Sequence, residues 1–136
     1  MIVDDFEPWR SFVSYRLLKE PNLQIVCEVA DAVEAIGEAN KIQPNLILLD
    51  IGLPSLNGIE TAQQIFQIAP GSRILFVSEQ SDPDVVTAAL EAGGGGYVLK
   101  SDAGDELLPA IVAILRGDPF LSSRLKRALS SIPGVP

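Results

Sequence analysis

Short aliphatic runs alternate with helix-period stretches from one end of this chain to the other, and that alternation constrains the fold more than any other feature. Met1–Val3, Leu46–Leu49, Ile74–Val77 and Tyr97–Leu99 are apolar and brief. Leu23, Ile25, Cys27 and Val29 alternate at period two, as a half-buried edge strand does. Between them lie stretches with a 3.6-residue stripe. Pro8 opens one that places Trp9, Phe12, Val13 and Leu17 on a single face. "DAVE" (Asp31 to Glu34) resembles a capping box ahead of Ala32, Ala35, Ile36 and Ala39. Asn57 can cap a helix with Ile59, Ala62, Phe66 and Ala69 inward, and Asp82-Pro83 opens another that Gly93–Gly96 ends. A last one carries Leu107, Leu108, Ile111, Ile114 and Leu115 and stops at Gly117. The order βαβαβαβαβα implies an α/β fold with a parallel sheet, right-handed crossovers and helices on both faces. Aliphatic runs without polar interruption suit strands buried on both sides.

Parallel strands end at one edge, and ligands of such sheets bind outside that edge. The residues that follow the apolar runs are therefore expected to meet. They are Asp4 and Asp5, Asp50, Ser78 and Lys100. Asp50 alone reads more readily as a turn or cap residue, Asp4-Asp5 as a solvated helix lead-in, Ser78 as a loop residue and Lys100 as a surface charge. Specificity comes from finding all of them at successive strand ends. Two carboxylates ~5 Å apart at an effective dielectric of about 20 repel by roughly 3 kcal/mol, so three of them call for a cation besides Lys100. A hard divalent ion with oxygen ligands, Mg²⁺ before Ca²⁺, balances the group. A metal, an ammonium and a hydroxyl around a carboxylate suit phosphoryl transfer, with Asp50 as the nucleophile.

Composition removes other classes. No histidine occurs, which excludes His-based zinc sites, Ser-His-Asp triads and a phosphohistidine donor within this sequence. The single cysteine, Cys27, excludes an internal disulfide and reads as a small buried apolar residue in a reducing compartment. The net charge of −8 opposes nucleic-acid binding by this stretch itself. Residues 1–115 hold 17 acids against 6 bases, whereas residues 116–136 hold one acid, Asp118, against Arg116, Arg124, Lys126 and Arg127. The character of the chain changes near "RGDPF". Beyond it, Ser122 or Ser123 can cap a short helix with Leu125 and Leu129 on one side, and "SSIPGVP" reads as a linker.

"IVDD", "LILLDIGLP…NGIE", "ILFVS" and "GYVLKSDAGDELLPAI" match, in order and spacing, the motifs of response-regulator receiver domains of two-component signalling. The chain resembles that family over residues 1–117, most closely the subfamily with a C-terminal helix-turn-helix. The resemblance implies a flavodoxin-like three-layer fold with a five-stranded sheet of order 2-1-3-4-5. It also implies that Asp50 is the phosphoacceptor. Asp5, Asp50 and the backbone carbonyl of Gly52 would bind Mg²⁺ (or Mn²⁺), with Asp4 acting through water. Ser78 and Lys100 would hold phosphoryl oxygens, and Tyr97 would be a switch aromatic that turns inward as Ser78 shifts. Lys100 is expected to pair with Asp50 before phosphorylation. The implied partner is a sensor histidine kinase, with a possible homodimer on phosphorylation, DNA contact only through a further C-terminal domain, no membrane, and a cytoplasmic location.

Residues 118–136 are expected to form a connector helix and linker toward that output domain, and the natural sequence to continue past Pro136. Two departures stand out. Only Met1–Val3 precede Asp4, so the first strand looks truncated, and Gly93–Gly96 is expected to be a loose corner. Ser101 follows the lysine where many receivers have proline. An aspartyl phosphatase is the competing reading, but such enzymes carry a second Asp where Gly52 stands. A nucleotide-binding module is disfavoured by Asp4-Asp5 after the first strand. A receiver that no longer takes phosphate, serving as a docking scaffold, is disfavoured because every site residue is present.

Overall fold

The computed structural model describes residues 1–130. Six strands and six α-helices follow one another as β1 (Ile2–Val3), α1 (Glu7–Leu17), β2 (Glu28–Val29), α2 (Ala32–Ile42), β3 (Leu46–Leu49), α3 (Gly58–Ile68), β4 (Arg73–Ser78), α4 (Pro83–Glu91), β5 (Gly94–Leu99), α5 (Ala103–Leu115), β6 (Phe120–Leu121) and α6 (Ser123–Ser130). All strand pairs are parallel, in the order β2-β1-β3-β4-β5-β6. Strand period two divides the core. Val3, Ile47, Leu49, Ile74, Phe76, Tyr97 and Leu99 face the layer of α2, α3, α4 and α6. Ile2, Leu48, Leu75, Val77 and Val98 face α1 and α5. Among the described residues no helix is long and apolar enough to cross a membrane.

The expected order 2-1-3-4-5 is present, with β6 added beyond β5. Phe120 and Leu121 pair with Gly96 and Tyr97, and the Ser122 amide donates to the Tyr97 carbonyl at 3.0 Å. The Ser122 hydroxyl is fully buried and accepts the Leu99 N–H at 2.9 Å. Leu125 and Leu129 then enter the core beside Val86 and Ala89 of α4. Arg124 pairs with Asp102 at 2.8 Å, and the Ser123 hydroxyl donates to Glu106 at 3.1 Å. The basic segment is thus held by apolar burial and an acidic helix start together. The linker expected in "SSIPGVP" falls, after Ser130, outside the described residues.

Local signals placed most helices. The Asp31 carboxylate accepts the Val33 N–H at 2.6 Å, Asn57 accepts from Glu60 at 3.0 Å, and Asp82 accepts from Asp84 at 2.9 Å. Ala32, Ala35 and Ala39 are fully buried as their spacing predicts. Three expectations are corrected. The edge strand shrinks to Glu28–Val29, because β1 offers only Ile2 and Val3 for pairing; Leu23, Ile25 and Cys27 keep the alternation as half-buried coil. In α3 the inward face is Gly58, Thr61, Ala62 and Ile65, and Phe66 is 58% exposed. The close seating of Gly58 under the Asp50 backbone sets that rotation.

The glycine run is the third correction. Only Gly93 adopts a left-handed backbone (φ +108°), where it ends α4. Gly94–Gly96 belong to β5, and they are there for space. A Cβ at Gly94 would lie 2.7 Å from the Phe76 ring, and one at Gly96 would lie 2.5 Å from the Phe120 carbonyl oxygen. The corner is tight. Gly96→Ala is therefore expected to push β6 off the sheet at a cost of about 1–3 kcal/mol. Amide exchange at Leu121 and Ser122 should accelerate markedly, and unchanged protection there would refute the crowding.

Candidate functional site

Each chemically distinctive side chain follows a strand end, and the parallel sheet brings these ends to one edge. Asp4 and Asp5 follow β1, Asp50 follows β3, Ser78 closes β4, and Lys100 follows β5 in a single 3-10 turn over Lys100–Asp102. Oxygens of Asp4, Asp5 and Asp50 all lie within 4.8 Å of one another. Asp5 is exposed, while Asp4 is 1% and Asp50 8% exposed.

Asp4 is held from several sides. Its Oδ1 accepts the Phe6 N–H at 2.8 Å, and Arg10 donates to its backbone carbonyl at 2.6 Å. Arg10 also reaches Glu28 at 3.8 Å, tying the end of β1 to β2. Lys100 Nζ lies 2.7 Å from Asp4 Oδ2 and 3.4 Å from Asp50 Oδ2. The expected pairing with Asp50 is present as a hydrogen bond at 3.4 Å; the lysine also makes a closer ion pair with Asp4, the more buried carboxylate and the one costlier to leave without a counter-charge. The Asp4 contact is an ion pair without hydrogen-bond alignment, so this buried Oδ2 has no hydrogen-bond partner.

One ammonium therefore serves two buried carboxylates. Burial, reinforced by the Asp50 charge, pushes the Asp4 carboxyl above its ordinary value, against the opposing pull of Lys100 and the Phe6 N–H. Burial works against the Lys100 charge too, but Asp4 and Asp50 outweigh it and hold the ammonium above the usual lysine range. The cluster lacks one or more positive charges. Three carboxylates with oxygens within 4.8 Å of one another and a single ammonium between two of them are hard oxygen donors that fit a divalent cation. A Cβ at Gly52 would sit 4.0 Å from Asp50 Oδ2, so Gly52 borders the same carboxylate.

Ser78 and Tyr97 meet at a residue the sequence reading passed over. The Gln80 N–H donates to Ser78 Oγ at 3.2 Å, and the Tyr97 hydroxyl donates to the Gln80 carbonyl at 2.6 Å. Tyr97 is fully buried and stacks on Phe76, with centroids 6.1 Å apart. Its position two residues beyond Ser78 is the only signal that marked Gln80. Trp9, on the same helix face as Val13 and Leu17, packs half-buried against the core and also lies under Lys100, 5.1 Å from Nζ to the ring centroid.

Burial, with Asp50 adding to it, pushes the Tyr97 phenol up to about 12 despite a hydrogen bond from Ser78. The fold thus favours the neutral phenol. Its stabilising share is complete below the unfolded value near 10 and is lost as pH rises through about 12. Chemical denaturation at increasing alkaline pH should show this loss in the native chain, and Tyr97→Phe should remove that component. An identical alkaline profile in the variant would contradict it.

A parallel sheet of this order with an acid cluster and a lysine at its carboxyl edge defines a receiver. Residues 1–112 match the family model for the response regulator receiver domain, and the chain belongs to that family. It is 30% identical to transcriptional regulatory protein DegU of Brevibacillus brevis over 129 residues, covering 95% of this chain and 55% of DegU. It is also 30% identical to nitrate/nitrite response regulator protein NarL of Escherichia coli K12, covering 96% of this chain and 61% of NarL. Among solved structures, a LuxR-family two-component response regulator from an Aurantimonas species superposes with a TM-score of 0.87 at 35% identity, covering 96% of this chain and 93% of that one. The chain thus spans between 55% and 61% of the length of these two curated relatives.

Proposed function

We propose that this chain is the phosphorylation-controlled receiver of a DNA-binding transcription regulator, working in the cytoplasm with a sensor histidine kinase. The observation that carries the proposal is the gathering of Asp4, Asp5, Asp50 and Lys100 at successive strand ends. An Asp50 carboxylate oxygen attacks the phosphorus of a phosphohistidine. The P–N bond breaks and the imidazole nitrogen leaves with the electron pair. A bound Mg²⁺ (or Mn²⁺) would supply charge neutralisation for the phosphoryl oxygens, held by Asp5, Asp50 and the Gly52 carbonyl, with Asp4 acting through water. Lys100 passes from Asp4 to a phosphoryl oxygen. Ser78 turns from Gln80 to another, which loosens the Tyr97–Gln80 hydrogen bond at the start of α4. The chain phosphorylates itself and turns over no external substrate.

Residues 118–136 are proposed to lead to an output domain, and β6–α6 lies where it would feel changes in Tyr97 and α4. Phosphorylation then favours pairing of two copies on DNA. The phosphatase alternative lacks its second acid, since Gly52 stands there.

Incubation with Mg²⁺ and phosphoramidate, followed by intact mass, tests the proposal. One phosphoryl group should be gained by the native chain, and none by Asp50→Asn or in excess chelator. Undiminished incorporation in either control would overturn the assignment.

A further inference from the structure

We infer that Trp9 is a positioning residue for Lys100, giving the ammonium a third wall on which it swings between Asp4 and the incoming phosphoryl group. The inference rests on the phosphoacceptor reading above. Lys100 Nζ is bracketed by Asp4 Oδ2 at 2.7 Å, Asp50 Oδ2 at 3.4 Å and the Trp9 ring centroid at 5.1 Å. The lysine side chain is 12% exposed, so water solvates little of it. An indole face is the best aromatic partner for a cation and brings no counter-charge of its own. It therefore supports a desolvated ammonium without competing with the phosphoryl group for it.

The ring is itself anchored. It sits in the first turns of α1, half-buried against the core, with its centroid 5.2 Å from that of Phe12 at a 37° tilt. It also lines the way in. A cleft of about 400 Å³ opens beside Lys100, walled by Phe6, Trp9, Glu79 and Ser101. A metal among the three carboxylates would repel Lys100 from Asp4. A lysine without the ring would then be free to swing out into this cleft. With the ring, the ammonium stays over the site.

Trp9 is the only tryptophan, so tryptophan emission comes from this ring alone. Mg²⁺ titration of the native chain should change the emission as Lys100 shifts. In Lys100→Met the metal should still bind, seen as a rise in melting temperature, but without that emission change. The same change in both chains would overturn the inference. The second arm compares phosphorylation by phosphoramidate in Trp9→Leu and Trp9→Phe. Trp9→Leu should lower the maximal rate about tenfold, with half-saturating metal and donor within about twofold of native, and Trp9→Phe should recover much of the rate. A Trp9→Leu chain that melts lower but phosphorylates at the native rate would make the ring merely structural and refute the role. If the native chain takes no phosphoryl group, the phosphoacceptor reading fails, and the emission arm still decides the Trp9–Lys100 contact.

Discussion

Gly58→Ala is expected to cost about 3 kcal/mol of stability and to lower the melting temperature by roughly 10 °C. The site explains why so small a change has so large an effect. A Cβ on residue 58 would press on the Asp50 carbonyl oxygen and lie 2.6 Å from Ile51 Cα and 2.9 Å from the Asp50 carbonyl carbon. All three neighbours are backbone, so no rotamer change relieves the contact. The chain must separate α3 from the end of β3, and that end carries Asp50. The Gly58 N–H also donates to the Ile51 carbonyl at 2.8 Å, so the same movement breaks the loop's own closure. Thermal unfolding checks the size of the effect. A second readout is metal binding, which should weaken together with stability because the Asp50 carboxylate moves. A variant as stable as the native chain would mean that the loop is not seated as described.

Removing the ammonium is the second large perturbation. Lys100→Met keeps a stem close to the lysine's, one atom shorter, and leaves Asp4 and Asp50 buried without a cation. Breaking a buried pair in this way costs about 3 kcal/mol. The sign of its pH dependence is opposite to ordinary acid denaturation. Burial and the Asp50 charge already push the Asp4 carboxyl above its ordinary value, and without the opposing pull of Lys100 its protonated form is favoured further in the fold. The deficit relative to the native chain should be small near pH 4 and full at neutral pH. Mg²⁺ at about a hundred times its dissociation constant should restore roughly 2.7 kcal/mol. Urea melts at both pH values, with and without metal, measure all of this. A deficit that is independent of pH would show that Lys100 contributes only packing.

The strand-end residues were legible because a parallel sheet needs no side-chain detail to align its carboxyl ends. Asp4, Asp5, Asp50 and Lys100 therefore converge as their order along the chain requires. The pairing of the lysine with Asp50 was legible, but its closer contact with Asp4 was not, because that depends on burial: Asp4 is more enclosed than Asp50. Helix positions followed from caps, but the rotation of α3 did not, since periodicity fits Phe66 or Ile65 and only the contact at Gly58 decides. The glycines before Tyr97 read as a breaker on propensity alone. Their causes are contacts distant in sequence: the Phe76 ring against Gly94, and at Gly96 a strand, β6, whose pairing residue lies more than twenty positions away. Period-two and 3.6 patterns do not register a two-residue edge strand, so nothing in the sequence marks the sixth strand, which the structure pairs at Phe120 with Gly96. Gln80 was missed for a similar reason: both of its bonds in the Ser78–Tyr97 linkage use backbone groups, and its residue type carries no signal for them.

The most direct measurement is the location of the phosphoryl group. The native chain is incubated with Mg²⁺ and phosphoramidate, reduced with borohydride to trap an acyl phosphate as an alcohol, and mapped by peptide mass. A single reduced aspartate is expected, at Asp50. Label at Asp4 or Asp5, or none in a chain that binds the metal, would contradict it.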